Sequence, residues 1–118
     1  MSDEFKITTL CYIINGESKV LLTMKKRGFG AGKWNGPGGK VEANENPKES
    51  AIREVKEEVG LTMIEPEELG FIEFIWPAGQ EDKNQICYIY LTRKFAGDLQ
   101  ESDECLPEWF VQIGRAHV

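Results

Sequence analysis

The sequence holds one histidine, His117, second from the end of 118 residues. That scarcity excludes a mechanism built on a mid-chain histidine, and it excludes a histidine-rich zinc site. The three cysteines, Cys11, Cys87 and Cys105, form no CxxC pair and are odd in number. They read as small buried residues of a reducing cytoplasm, not as a disulfide framework. No long apolar run is present, and MSDEFKITTL lacks the basic region and apolar stretch of a signal peptide. The expectation is a cytoplasmic chain with no membrane partner. Positive charge is also short, at 14 Lys+Arg against 20 Asp+Glu. A net charge of −6 makes a poor partner for nucleic acid. What remains is an ordinary globular balance, 41% hydrophobic and 29% charged, with the length of one domain.

Residues 7–14 (ITTLCYII) read as a strand, Asn15-Gly16 as a turn, and residues 19–26 (KVLLTMKK) as the returning strand. Residues 27–39 hold six of the twelve glycines and read as a loop. The spacing then predicts a helix over 47–59. Asn46 is its N-cap, Pro47 its first residue, Glu49 the partner in a capping box, and Gly60 its left-handed end. Ala51, Ile52, Val55 and Val59 form the apolar stripe. Further strands are expected at 69–76, 85–92 and 109–112. The run ICYIYL (86–91) is apolar on both faces, which implies a sheet covered on both sides. One helix cannot cover two faces, so a covering element is expected to be missing.

On the helix, Glu57 lies about 60° behind Glu54 and Glu58 about 40° ahead of it, so the three share one arc. Like charges at these spacings cost roughly 0.2–0.5 kcal/mol each. Glu57 and Glu58 also sit in the last turn, where the helix dipole disfavours anions. Arg53 and Lys56 are read as lying on other sides of the helix, neutralising the cluster poorly. A hard divalent cation would remove the penalty, and oxygen ligands without His or Cys point to Mg²⁺ or Mn²⁺. The arc by itself leaves a solvated acidic face equally open.

Lys25, Lys26, Arg27, Lys33 and Lys40 flank the glycines as a local basic patch suited to phosphate oxygens. This is not a P-loop, since GAGKW lacks the Ser or Thr after its lysine. Taken singly, each lysine reads equally well as a solvated strand end.

From Gly39 the chain runs GKVEANENPKESAIREVKEEVGL. Gly39, Glu45, Arg53, Glu54, Val55, Glu57, Glu58, Gly60 and Leu61 match every fixed position of a 23-residue pattern, and on these residues the chain resembles the Nudix hydrolases. The resemblance implies an α+β Nudix fold, a mixed β-sheet in an α/β/α sandwich. It also implies hydrolysis of a diphosphate linkage in a nucleoside diphosphate derivative. Carried over, Glu54, Glu57 and Glu58 hold Mg²⁺ (or Mn²⁺), with the carbonyl of Gly38 as a further ligand, and Arg53 pairs with Glu45. Phosphoryl transfer needs charge neutralisation and positioning more than a covalent nucleophile. The general base is Glu54 or Glu104.

The stretches MKKRGFGAGKWNGPGGKVE (24–42) and ESDECLPEWF (101–110) are similar to one Nudix branch, the oxidised purine nucleoside triphosphate hydrolases. That similarity implies hydrolysis of 8-oxo-dGTP and 2-hydroxy-dATP to monophosphate and pyrophosphate. It implies that Asn35 hydrogen-bonds the purine and that Thr9 and Lys25 line the pocket. Phe29, Phe74 and Trp34 would supply its walls. Gly38, Gly39 and Lys40 would complete the substrate contacts, and Glu104 would be a further acidic metal ligand. Trp76, Trp109 and Phe110 are assigned to the core. Pro37 departs from the branch, which usually has a bulky apolar residue there. The other readings are a Nudix hydrolase of ADP-ribose, a dinucleoside polyphosphate or an unmodified nucleoside triphosphate, or a non-catalytic Nudix-fold nucleotide-binding module. The expected partner is a small-molecule nucleotide, met by a monomer.

Residues 113–118 read IGRAHV, which one frame of a common sequencing adapter encodes just before a stop codon. The expectation is a native domain over 1–112 that lacks its C-terminal helix, with 113–118 a read-through scar to be left out of fold reasoning.

Overall fold

The computed structural model describes residues 5–28 and 31–112. Phe29 and the 113–118 tail therefore lie outside the described residues. The chain forms β1 (Lys6–Ile13), β2 (Lys19–Lys25), β3 (Trp34–Asn35), α1 (Pro47–Val59), β4 (Thr62–Met63), β5 (Glu67–Phe74), β6 (Gln85–Thr92), β7 (Phe95–Ala96) and β8 (Cys105–Val111). A 3-10 turn, Glu81–Lys83, precedes β6. This is the α+β architecture implied by the resemblance.

One sheet is mixed, in the order β1-β6-β5, with β1 parallel and β5 antiparallel to β6. The second, β3-β2-β8, is antiparallel, and β4 pairs with β7. The Asn15-Gly16 turn forms, with the Asn15 carboxamide oxygen accepting from the amides of Glu17 and Lys19. The simple hairpin expected there does not. Beyond the bridge between Ile14 and Val20 the two strands part into different sheets. The reason is that β1 finds a partner far along the chain, Lys6 opposite Gln85. The last strand also starts earlier than its composition suggests. Pairing with β2 carries it back to Cys105 through Pro107, which is tolerated because β8 is an edge strand.

The helix forms for the local reasons given above. The Asn46 side chain accepts from the Glu49 amide, Glu49 answers to the Asn46 amide, and Gly60 closes the end at φ 82°. Ala51, Val55 and Val59 are buried against Cys11, Ile13, Leu21, Leu61, Met63 and Tyr90. Cys11, Cys87 and Cys105 are all buried and free, as expected of a reduced chain.

Strand β5 is exposed on both faces, Phe71 at 56% and Ile72 at 48%, and α1 is the only α-helix among the described residues. Trp76 was assigned to the core but is 41% exposed. It stands past the end of β5, where its amide donates to the Asn84 side chain and Lys83 lies over its ring. Trp109 and Phe110 are half-buried, the former stacked on Phe95. No helix of the described residues is long and apolar enough to cross a membrane.

Candidate active site

The glycine loop is laid along the free edge of β1. Thr9 donates its amide to the Gly39 carbonyl, Cys11 to Pro37, and Val41 to Ile7. The approach is close enough that a side chain at Gly36 would put a Cβ 2.5 Å from the Cys11 carbonyl oxygen. Gly38 has φ +155°, and a Cβ there would collide with the Thr9 carbonyl. Glycine is required for this contact between loop and strand. Pro37, the departure from the branch pattern, is buried inside it.

The loop meets α1 through two glutamates. The Gly38 amide donates to Glu58 Oε1 at 3.3 Å. Glu54 stands so near Gly39 that an added Cβ would lie 2.5 Å from its carboxyl carbon. Thr9 secures the same point, its hydroxyl accepting from the Gly39 amide at 3.2 Å.

Arg53 holds the outer side. Its Nε and Nη2 reach the two oxygens of Glu45 at 3.0 and 2.6 Å, a bidentate pair. The same Nη2 donates to the Lys40 carbonyl. Nη1 reaches Glu54 at 3.1 Å and Glu57 at 3.2 Å. This corrects the expectation that Arg53 neutralises the cluster poorly. A five-donor guanidinium on a long stem reaches round the helix, where a projection of Cα positions places it on another side.

Burial sets the electrostatics. It pushes the Glu58 carboxyl up to about 7, against the Gly38 amide, with the charges of Glu54 and Glu104 adding to the rise. Burial also raises Glu54, opposed by Arg53. Glu45 is held down to about 2 by its hydrogen bonds from Arg53. Among the described residues no three His, Cys, Asp or Glu side chains converge closely enough to hold an ion. Arg53 draws Glu54 and Glu57 toward itself. The donor set is nonetheless all oxygen, and burial and neighbouring carboxylates raise Glu54 and Glu58, a penalty on their charged forms that a cation would offset. That chemistry fits a hard divalent cation.

The remaining expected residues are placed as follows. Glu104 sits just before β8, its carbonyl accepting from the Lys26 amide at 2.8 Å. Its charge reaches both Glu54 and Glu58. Lys25, at the exposed end of β2, is opposite Cys105, and its charge acts on Glu58. Lys40 is exposed beside the loop. Asn35 is exposed on β3 opposite Thr23, whose hydroxyl donates to the Asn35 carbonyl. Phe74 is not drawn in with these residues. It lies two strands over from β1 and three registers along from Thr9. Trp34 is not a wall beside Asn35, because neighbours on a strand point to opposite faces. Its ring packs edge-on against Phe110 at 4.9 Å instead. Lys26, read as part of the phosphate-binding patch, is paired with Glu101.

Sequence reasoning passed over Ser102. Its hydroxyl accepts from the amides of Glu104 and Cys105. A serine two residues before an acidic candidate is the signal of such a turn.

A family model described as the NUDIX domain matches residues 4–116. The chain is 43% identical over 105 residues to the oxidized purine nucleoside triphosphate hydrolase of Danio rerio, covering 89% of this chain and 65% of that protein. It is 39% identical to the Mus musculus protein of the same name, with the same coverage. The chain thus spans just under two thirds of the length of these curated relatives. Among solved structures, the MutT NUDIX hydrolase from Burkholderia pseudomallei superposes with a TM-score of 0.79 at 27% identity, covering 92% of this chain and 84% of that one. The MutT protein from Methanosarcina mazei Go1 gives 0.77 at 30% identity, covering 94% and 80%. The glycine loop, the helix carboxylates and these similarities agree, and the chain belongs to the Nudix family.

Proposed function

We propose that the protein is a divalent-cation-dependent pyrophosphohydrolase of oxidised purine nucleoside triphosphates, 8-oxo-dGTP and 2-hydroxy-dATP among them. Its products are the nucleoside monophosphate and pyrophosphate. The observation that carries this reading is the seating of Glu54 and Glu58 against the Gly38-Gly39 loop, with all three signature glutamates present. The substrate class follows the similarity to the oxidized purine nucleoside triphosphate hydrolases of zebrafish and mouse.

In this reading Glu54, Glu57, Glu58, Glu104 and the Gly38 carbonyl would hold Mg²⁺, or Mn²⁺ in its place, and the chemistry supplied there would be neutralisation of polyphosphate charge and a lower pKa for the attacking water. The chain supplies the rest. Glu54 or Glu104 takes the proton from water as its oxygen bonds to phosphorus and the phosphoanhydride bond breaks. Lys25 and Lys40 orient the phosphates, and Asn35, with a donor and an acceptor together, reads the purine edge. Arg53 and Glu45 keep α1 against the loop. The enzyme acts as a cytoplasmic monomer that clears damaged nucleotides from the pool.

The test is hydrolysis by the full-length gene product, with Mg²⁺, of 8-oxo-dGTP, dGTP, ADP-ribose and a diadenosine polyphosphate. The expected result is preference for 8-oxo-dGTP with release of pyrophosphate. Equal turnover of dGTP, or preference for ADP-ribose, overturns the substrate assignment.

A further inference from the structure

Glu104 differs from the other acidic candidates in its support. Glu54, Glu57 and Glu58 ride on a capped helix, whereas Glu104 comes from the connection into β8. An exposed loop leaves a carboxylate free to sample many positions, and metal ligands need their orientation held by a surrounding shell. Five interactions supply that hold. The Ser102 hydroxyl accepts from the Glu104 amide at 3.3 Å and from the Cys105 amide at 3.1 Å. The Ser102 amide donates to the Cys105 carbonyl at 3.0 Å, which closes the turn in the other direction. The Lys26 amide donates to the Glu104 carbonyl at 2.8 Å. The Lys26 ammonium then reaches across to Glu101, so the residue just past β2 grips the loop by backbone and side chain together. Cys105 anchors the far side, buried where β8 begins opposite Lys25.

We propose that Ser102 is a positioning residue for Glu104. Its hydroxyl, backed by the Lys26–Glu101 pair, sets the place from which the Glu104 carboxylate meets those of α1. This deepens the functional reading above and rests on Glu104 being one of the acidic ligands.

The experiment measures Mn²⁺ affinity of the nucleotide-free protein by electron paramagnetic resonance, beside steady-state turnover. Ser102→Ala is expected to weaken Mn²⁺ binding by about threefold to tenfold. Ser102→Thr, which keeps the hydroxyl, should restore affinity to within about twofold. In turnover, Ser102→Ala lowers kcat and leaves KM for nucleotide unchanged. Glu104→Gln serves as the reference and should cost about tenfold or more in Mn²⁺ affinity. Wild-type affinity in Ser102→Ala beside a loss in Glu104→Gln overturns the positioning role and leaves Glu104 a ligand. Wild-type affinity in Glu104→Gln overturns the reading of Glu104 and the inference with it. Equal loss in the alanine and threonine variants also overturns the role of the hydroxyl. Should Ser102→Ala fail to fold, Ser102→Gly, which also removes the hydroxyl, decides: a loss of about threefold or more supports the role and wild-type affinity overturns it.

Discussion

The Glu54 carboxylate occupies the space that a side chain at Gly39 would need: a Cβ there would lie 2.5 Å from its carboxyl carbon. The glycine that opens the Nudix pattern and the first of its three clustered glutamates are thus fitted to each other. Gly39→Ala forces one of them to move. The carboxylate ends a flexible side chain, so it yields before the backbone does. With Glu54 in its proposed role, turnover is expected to fall about 10²-fold, the cost of misplacing a group at the reacting centre. Stability should change little, with Tm within about 4 °C of wild type. Kinetics and thermal unfolding of one preparation check this, and unchanged turnover would sink it.

Arg53 is where acidity and stability meet. Its hydrogen bonds hold Glu45 down to about 2 from an ordinary 4.5. A lowered carboxyl contributes stability above its unfolded pKa and loses it as pH falls through the folded value. The contribution is therefore complete above pH 4.5 and disappears between 4.5 and 2. Arg53→Met should lower the urea midpoint at pH 7, and the gap to wild type should close across that window. Turnover at pH 7 should fall about tenfold or more, since the pair positions the helix carrying the proposed ligands. A gap that does not narrow between pH 4.5 and 2 contradicts the assignment.

The helix and its site were legible because their causes are local. Asn46, Glu49 and Gly60 cap α1 within its own sequence, and the signature from Gly39 to Leu61 fits inside one loop and one helix. What escaped is tertiary. The two-residue strands β3, β4 and β7 have no pattern of their own and exist only because Trp34, Thr62 and Phe95 find partners. The separation of β1 from β2 follows from a parallel pairing with residues nearly 80 positions away, which no turn signal carries. The reach of Arg53 to Glu57 depends on side-chain length, not on its place on a helical wheel. Trp76 reads as core by composition, yet exposure is decided by what packs over it.

The cysteines give a chemical check on the fold. Burial raises all three thiols, Cys11 to about 12, so little thiolate exists at neutral pH. Only the thiolate reacts. The native chain should be nearly inert to a thiol reagent at pH 8, and denaturant should release three reactive groups. Rapid labelling of a thiol before unfolding contradicts the packing around it.

Glu58 ties stability and metal binding to pH in opposite senses. Burial lifts its carboxyl from 4.5 to about 7 in the folded chain. A raised carboxyl favours the folded state while protonated, so this contribution is complete below pH 4.5 and is lost as pH rises through 7. Without divalent ions, the folded protein should therefore lose Tm as pH rises from 4.5 toward 8. A cation needs the ionised form and competes with that proton. Its affinity should fall about tenfold for each pH unit below 7. Added Mg²⁺ should then reverse the trend, raising Tm most at pH 8 and least at pH 5. Glu58→Gln keeps an oxygen for the Gly38 amide but cannot titrate, so it should flatten the metal-free slope and weaken the Mg²⁺ effect. Thermal melts in EDTA and in Mg²⁺ across pH 5–8 measure both. A slope that survives in Glu58→Gln assigns the titration to another group.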